Sequence, residues 1–175
     1  MSLLQHFRGD LSKVAVNRIS ALIGDDEDLV KELMDIINGR EILMVKYALW
    51  VMRTICDKKP YLFQSYFKDL FDLIHKFPSE DGVLRNVIGA WQVLDIPEEL
   101  EGEVYELCLN FLTDQSPIAA KAFSMEVCFK VAARYPELKN ELKTTIEGLN
   151  LKYGESSPGI ASRAKKTLRK IKELR

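Results

Sequence analysis

The sequence predicts an all-α fold, a right-handed α-α superhelix of about four helical hairpins closed by a C-terminal capping helix. Three observations predict it. Apolar residues recur at helical spacing along nearly the whole chain, without the alternation and tight turns of β-hairpins. Most Pro and Gly residues fall between these periodic stretches or in their first turns, where they act as breaks. One apolar stripe also returns at a nearly constant interval, the mark of an internal repeat.

The recurring stripe lies on the second helix of each pair. It reads Leu29, Leu33, Ile36, Ile37, then Phe63, Phe67, Leu70, Phe71. It returns as Leu100, Val104, Leu107, Cys108 and again as Leu138, Leu142, Thr145, Ile146. The i, i+4, i+7, i+8 pattern is the inward face of an amphipathic helix. The first helices are apolar on more than one side, as in Val45, Ala48, Leu49, Val51, Met52, Ile55 and Cys56. A helix flanked by neighbours within a stack needs that pattern.

Element by element, a short turn is expected at 2–8. Helices are expected at 10–23, 27–38, 41–57, 60–76, 81–95, 97–113, 117–134, 136–150 and 158–174. Gly24-Asp25-Asp26 ends one helix and offers an N-cap to the next, and Asn38-Gly39 is a C-terminal stop. Pro60, Pro97 and Pro136 sit in or before a first turn, where a missing N–H costs little. Ser116-Pro117 and Ser157-Pro158 each read as an N-cap serine followed by proline at the first helical position. The repeats are then 10–38, 41–76, 81–113 and 117–150, with the cap at 158–174, in a single domain over 1–175. Ile160, Ala164, Leu168 and Ile171 give the cap one apolar stripe, and Arg163, Lys165, Lys166, Arg169, Lys170 and Lys172 cover the rest.

Composition excludes several classes. With 47% hydrophobic and 29% charged residues, the chain is neither disordered nor membrane-embedded by composition. The N-terminus lacks a basic and apolar leader, and no apolar run reaches the roughly 20 residues of a membrane span, so a cytoplasmic location is expected. Cys56, Cys108 and Cys128 lie within helical patterns without metal-ligand spacing and read as buried thiols. Residues 162–175 hold seven Lys or Arg and one acid, a net of +6, which leaves −7 on the other 161 residues. That balance argues against a nucleic-acid partner and suits a solvated basic cap.

Catalytic, cofactor-binding and metal-binding residues are all expected to be absent. His6 and His75 have no nucleophile or ligand partner at a suitable spacing. The acids Asp25, Asp26, Glu27 and Asp28, and Glu98, Glu99, Glu101 and Glu103, fall at helix starts, where they suit the helix dipole. No glycine-rich phosphate loop occurs.

A 34–38 residue unit of two helices with such ladders resembles the HEAT and armadillo repeat families, the α-solenoids. The resemblance covers about residues 10–174 and extends to short bacterial proteins built from these repeats. An in-register Asp and Arg ladder is not visible. The resemblance implies a non-catalytic scaffold that binds a protein partner through its solenoid surface. Solvent-facing positions on the second helices would include Gln64, Lys68, Asp72, Glu103, Glu106, Asn140 and Lys143. Trp50, beside Tyr47 and Arg53, reads as an exposed aromatic anchor, whereas Trp91 falls at a core phase. Lys13, Lys46, Arg85, Lys121 and Arg163 align near the starts of the first helices and predict a basic ridge. The alternative implied by the same resemblance is a nucleic-acid-binding protein or a DNA glycosylase-like enzyme, which needs a basic groove. A homodimer stacked through an open end is the remaining assembly.

Overall fold

A computed structural model describes residues 2–7, 9, 12–113 and 115–174. Among these residues there are nine α-helices and no strand. They are α1 (Lys13–Ile23), α2 (Glu27–Ile37), α3 (Ile42–Cys56), α4 (Phe67–Lys76), α5 (Asp81–Trp91), α6 (Glu101–Thr113), α7 (Ile118–Ala132), α8 (Lys139–Tyr153) and α9 (Pro158–Glu173). Residues 10 and 11, expected in the first helix, lie outside the described residues. A 3-10 turn at Leu3–Phe7 occupies the expected N-terminal turn.

The breaks act largely as expected. Gly24 ends α1 at φ +55°, a conformation that disfavours any side chain. The Asp26 carboxylate accepts from the Asp28 and Leu29 amides, and the Ser157 hydroxyl accepts from the Ile160 amide. Ser116 does not hold the N-cap position of α7. Pro117 takes that position, so α7 begins one residue later than expected. The stretches 60–76, 97–113 and 136–150 are not single helices either. Each proline is followed by 3-10 structure, beginning at Pro60, Glu98 and Pro136, before α4, α6 and α8 start.

The chain forms two compact units, residues 1–95 and 96–175. The division falls within the segment expected to form one hairpin, between α5 and α6. In the first unit α3 packs on α1, α2 and α5, and α5 also packs on α4. The core holds Leu33, Ile37, Val45, Leu49, Phe63, Phe67, Leu70, Phe71 and Val87. Burying each such side chain favours the fold by about 1.5–3 kcal/mol. Trp91 is fully buried and stacks on Phe67, with ring centroids 5.4 Å apart. On α2 the stripe is turned from the expected one. Val30 and Met34 are buried, whereas Leu29 and Ile36 are only half-buried.

Two glycines of α5 leave room for side chains of α3. A Cβ on Gly89 would lie 2.6 Å from Arg53 Nε, and one on Gly82 would lie 2.8 Å from Lys46 Cδ. The two glycines are seven residues apart on α5, as Lys46 and Arg53 are on α3, so each pair shares one face. The long side chains of α3 therefore lie flat across α5.

In the second unit α6 packs on α7 and α8, and α9 packs on α7 and α8. Val104, Cys108, Val127, Cys128, Leu142, Ile146, Ile160, Ala164 and Ile171 fill the core. Leu168 is half-buried, and Thr167 takes its expected inward place on α9.

Polar tethers cross from one repeat to the next within each unit. In the first, Asp25 accepts from Lys59 Nζ at 2.7 Å and Tyr61 Oη at 2.6 Å. In the second, Glu101 accepts from Arg134 and, at 2.7 Å, from Tyr135 Oη. The Lys76 ammonium reaches the Asn38 and Gly39 carbonyls that end α2, and Tyr105 Oη donates to Glu141 at 3.1 Å. Lys139 donates to the Leu174 carbonyl at 2.6 Å. These links join residues 33 to 38 positions apart, one repeat length.

Candidate functional site

The residues expected to contact a partner are dispersed, and several are committed to the fold. Tyr47 is buried, only 4% exposed, with its ring edge-on to Phe7 at 5.3 Å and to Trp50 at 6.4 Å. It belongs to the core, contrary to its expected surface place. Trp50 is half-buried, and Lys13 Nζ lies 5.6 Å from its ring centroid. At that distance the cation is attracted by the ring face. Arg53 is half-buried, pairs with Asp57 one turn on, and rests against Gly89.

The expected second-helix positions differ among themselves. Gln64 donates to the Asp95 carbonyl at 2.7 Å and accepts from the Asp95 amide at 2.9 Å, so its amide clamps a loop. Lys68 and Asp72 are exposed and pair with each other at 2.9 Å. Glu103, Glu106 and Asn140 are exposed, and Lys143 is half-buried.

The expected basic ridge does not form as one exposed feature. Within the first unit Lys13 and Arg85 are exposed, but Lys46 is half-buried and bonded to Glu80 at 3.0 Å. Within the second, Lys121 is 1% exposed and donates to the Phe111 carbonyl at 2.9 Å. That carbonyl lies in the last turn of α6, where backbone acceptors lack helical partners and the dipole favours a cation. Arg163 lies over the Phe123 ring at 5.3 Å. Alignment near helix starts could not distinguish a lysine aimed inward at a helix end from one aimed at solvent.

The electrostatics follow from burial and partners. Hydrogen bonds from Lys59 and Tyr61 hold the Asp25 carboxyl below its ordinary range. Burial pushes the Cys56 thiol up to about 11, and burial next to Cys108 pushes Cys128 well above its ordinary value. All three cysteines are buried free thiols. Among the described residues no group of three or more His, Cys, Asp or Glu is placed to hold a metal ion. No described helix is long and apolar enough to cross a membrane.

Two features escaped sequence reasoning. The outward side of α1 carries Val14, 76% exposed, and Leu22, 48% exposed, on either side of exposed Arg18. The spacing i, i+4, i+8 was available as a signal, but the same helix carries a second apolar stripe that faces the core. On α9, Lys165, Lys166, Arg169 and Lys172, with Asn150, Ala161, Ser162 and Leu168, line an open cleft of about 780 Å³. Its cations were legible, but the cleft was not.

No curated protein and no solved structure matches the chain. A HEAT repeat domain model matches residues 3–171, nearly the full length. With its paired helices and cross-repeat tethers, the chain belongs to the HEAT repeat family, whose members typically mediate interactions.

Proposed function

We propose that the chain is a non-catalytic scaffold that binds a protein partner through exposed helix faces. The observation that carries this reading is the outward row of α1. Val14 and Leu22 remain in water on either side of Arg18, on a helix that already buries Ala15, Val16, Ile19 and Ile23. Exposed aliphatic residues around an arginine, close to a half-buried tryptophan under Lys13, have the chemistry of an interface anchor. Lys68, Asp72 and Arg85 are further contact residues, because their side chains reach solvent. Lys46, Arg53 and Gln64 serve chiefly to position these elements.

The test is capture of partners from the native cell, followed by reassembly of the complex from purified components. The reading expects a protein that binds saturably. Val14→Asp/Leu22→Asp is expected to weaken that binding at least about tenfold, because central apolar anchors dominate interface energetics. Failure of every captured protein to rebind in purified form would overturn the reading.

A further inference from the structure

We infer that the outward face of α9 is a docking site for a short acidic segment of a protein partner. The inference rests on the scaffold reading and deepens it by naming the chemistry of one contact.

Two cations of α9 are already engaged. Lys170 donates to Glu126 at 2.5 Å and lies over the Phe129 ring at 5.0 Å. Arg163 lies over Phe123. These two hold α9 to α7. Lys165, Lys166, Arg169 and Lys172 do something else. All four are exposed, and none is paired with an acid among the described residues. Their spacing puts them on one side of the helix, opposite buried Ile160, Ala164, Thr167 and Ile171. From Lys165 to Lys172 the face extends about 10 Å along the axis. Four like charges so close repel one another, and an anionic ligand relieves that cost.

The cleft adds shape to the charge. Ala161, Leu168 and the aliphatic stems of the lysines give it an apolar floor beneath a cationic rim. An apolar floor with a cationic rim fits a peptide that alternates carboxylates with large apolar side chains.

The surrounding charge selects against an extended polyanion. Residues 96–161 carry eleven Asp or Glu against six Lys or Arg, a net of −5. A nucleic acid or an anionic bilayer extends much further beyond a 10 Å patch than a short acidic segment does, and so meets more of that net negative charge.

The test uses the full chain and a fluorescein-labelled twelve-residue peptide with Glu and Leu at helical spacing. Its controls are the same peptide with Lys for Glu, a twelve-nucleotide single strand, and phosphatidylserine vesicles. The acidic peptide is expected to bind saturably by anisotropy at 50 mM NaCl and more weakly at 300 mM. The quadruple variant Lys165→Glu/Lys166→Glu/Arg169→Glu/Lys172→Glu is expected to lose at least about tenfold in affinity. Arg169→Gln/Lys172→Gln, which adds no negative charge, is expected to lose a smaller part while keeping the wild-type circular dichroism. No saturable peptide binding, equal binding by the quadruple variant, or tighter binding of the oligonucleotide or vesicles would overturn the inference. A purified partner that binds wild type and quadruple variant equally would also sink it while leaving the scaffold reading intact. Failure of every captured protein to rebind the purified wild-type chain would sink the scaffold reading itself.

Discussion

Asp25 in the first unit and Glu101 in the second make the same kind of tether in opposite surroundings. Each carboxylate receives a cation and a tyrosine hydroxyl from the next repeat, Lys59 and Tyr61 in one case and Arg134 and Tyr135 in the other. The Asp25 side chain is 62% exposed and that of Glu101 is 4% exposed. Water competes for every bond to Asp25, so its tether guides the loop more than it stabilises the fold. The Glu101 carboxylate itself is shielded from water. The bonds there replace lost solvation, and removing one leaves a charge stranded. A shared bonding pattern therefore does not imply a shared energetic weight. Burial decides it.

Mutations at the two tethers and at the α3–α5 seam separate these weights. The largest effect is expected from Arg134→Ala, which leaves Glu101 buried without its cation. Urea unfolding should show a loss of about 3 kcal/mol. Glu101→Gln removes the charge together with the need to neutralise it, and Arg134, half in solvent, rehydrates. The expected loss is roughly 1–2 kcal/mol. Gly89→Ala sharpens the comparison with a purely steric change. Ala favours the helix by up to about 1 kcal/mol, but its Cβ collides with Arg53, so thermal unfolding should register a net loss of about 1 kcal/mol.

The smallest effect is expected from Asp25→Asn, and it should depend on pH. The Asp25 pKa is lowered in the folded chain, so its contribution is fully present above the ordinary aspartate value. It fades as the pH falls through the lowered value. The difference in urea midpoint between wild type and Asp25→Asn should therefore be constant from pH 7 to about 5 and shrink below about 4. A difference that grows on acidification would contradict the tether.

Periodicity made the helices legible because a stacked hairpin must bury one side, and the i, i+4 pattern records that side directly. Leu33, Phe67, Val104 and Leu142, four repeat-related positions, are all buried. The tethers were less legible. Asp25 and Glu101 both stand in acidic runs at helix starts, and a dipole argument covers each run equally well. What distinguishes Glu101 is a residue 33 positions away, and only packing brings the two together. The partner-facing residues failed for a related reason. Tyr47 and Lys121 carry polar groups that suggest solvent, yet Tyr47 packs its ring against Phe7 and Lys121 reaches a helix end. The α9 cations were legible from composition alone, because nothing else in the chain is so basic.

These tethers link consecutive repeats within each unit, and the exposed residues of α1 and α9 stand on helices whose opposite faces are buried in the core. Preorganisation of that kind lowers the cost of binding.

A pair of double-mutant cycles, on Glu101 with Arg134 and on Asp25 with Lys59, tests most directly whether burial sets the strength of the tethers. Urea unfolding should give a coupling of about 2 kcal/mol for the first cycle and a much smaller one for the second. Equal couplings, or a stronger one at Asp25, would contradict the account.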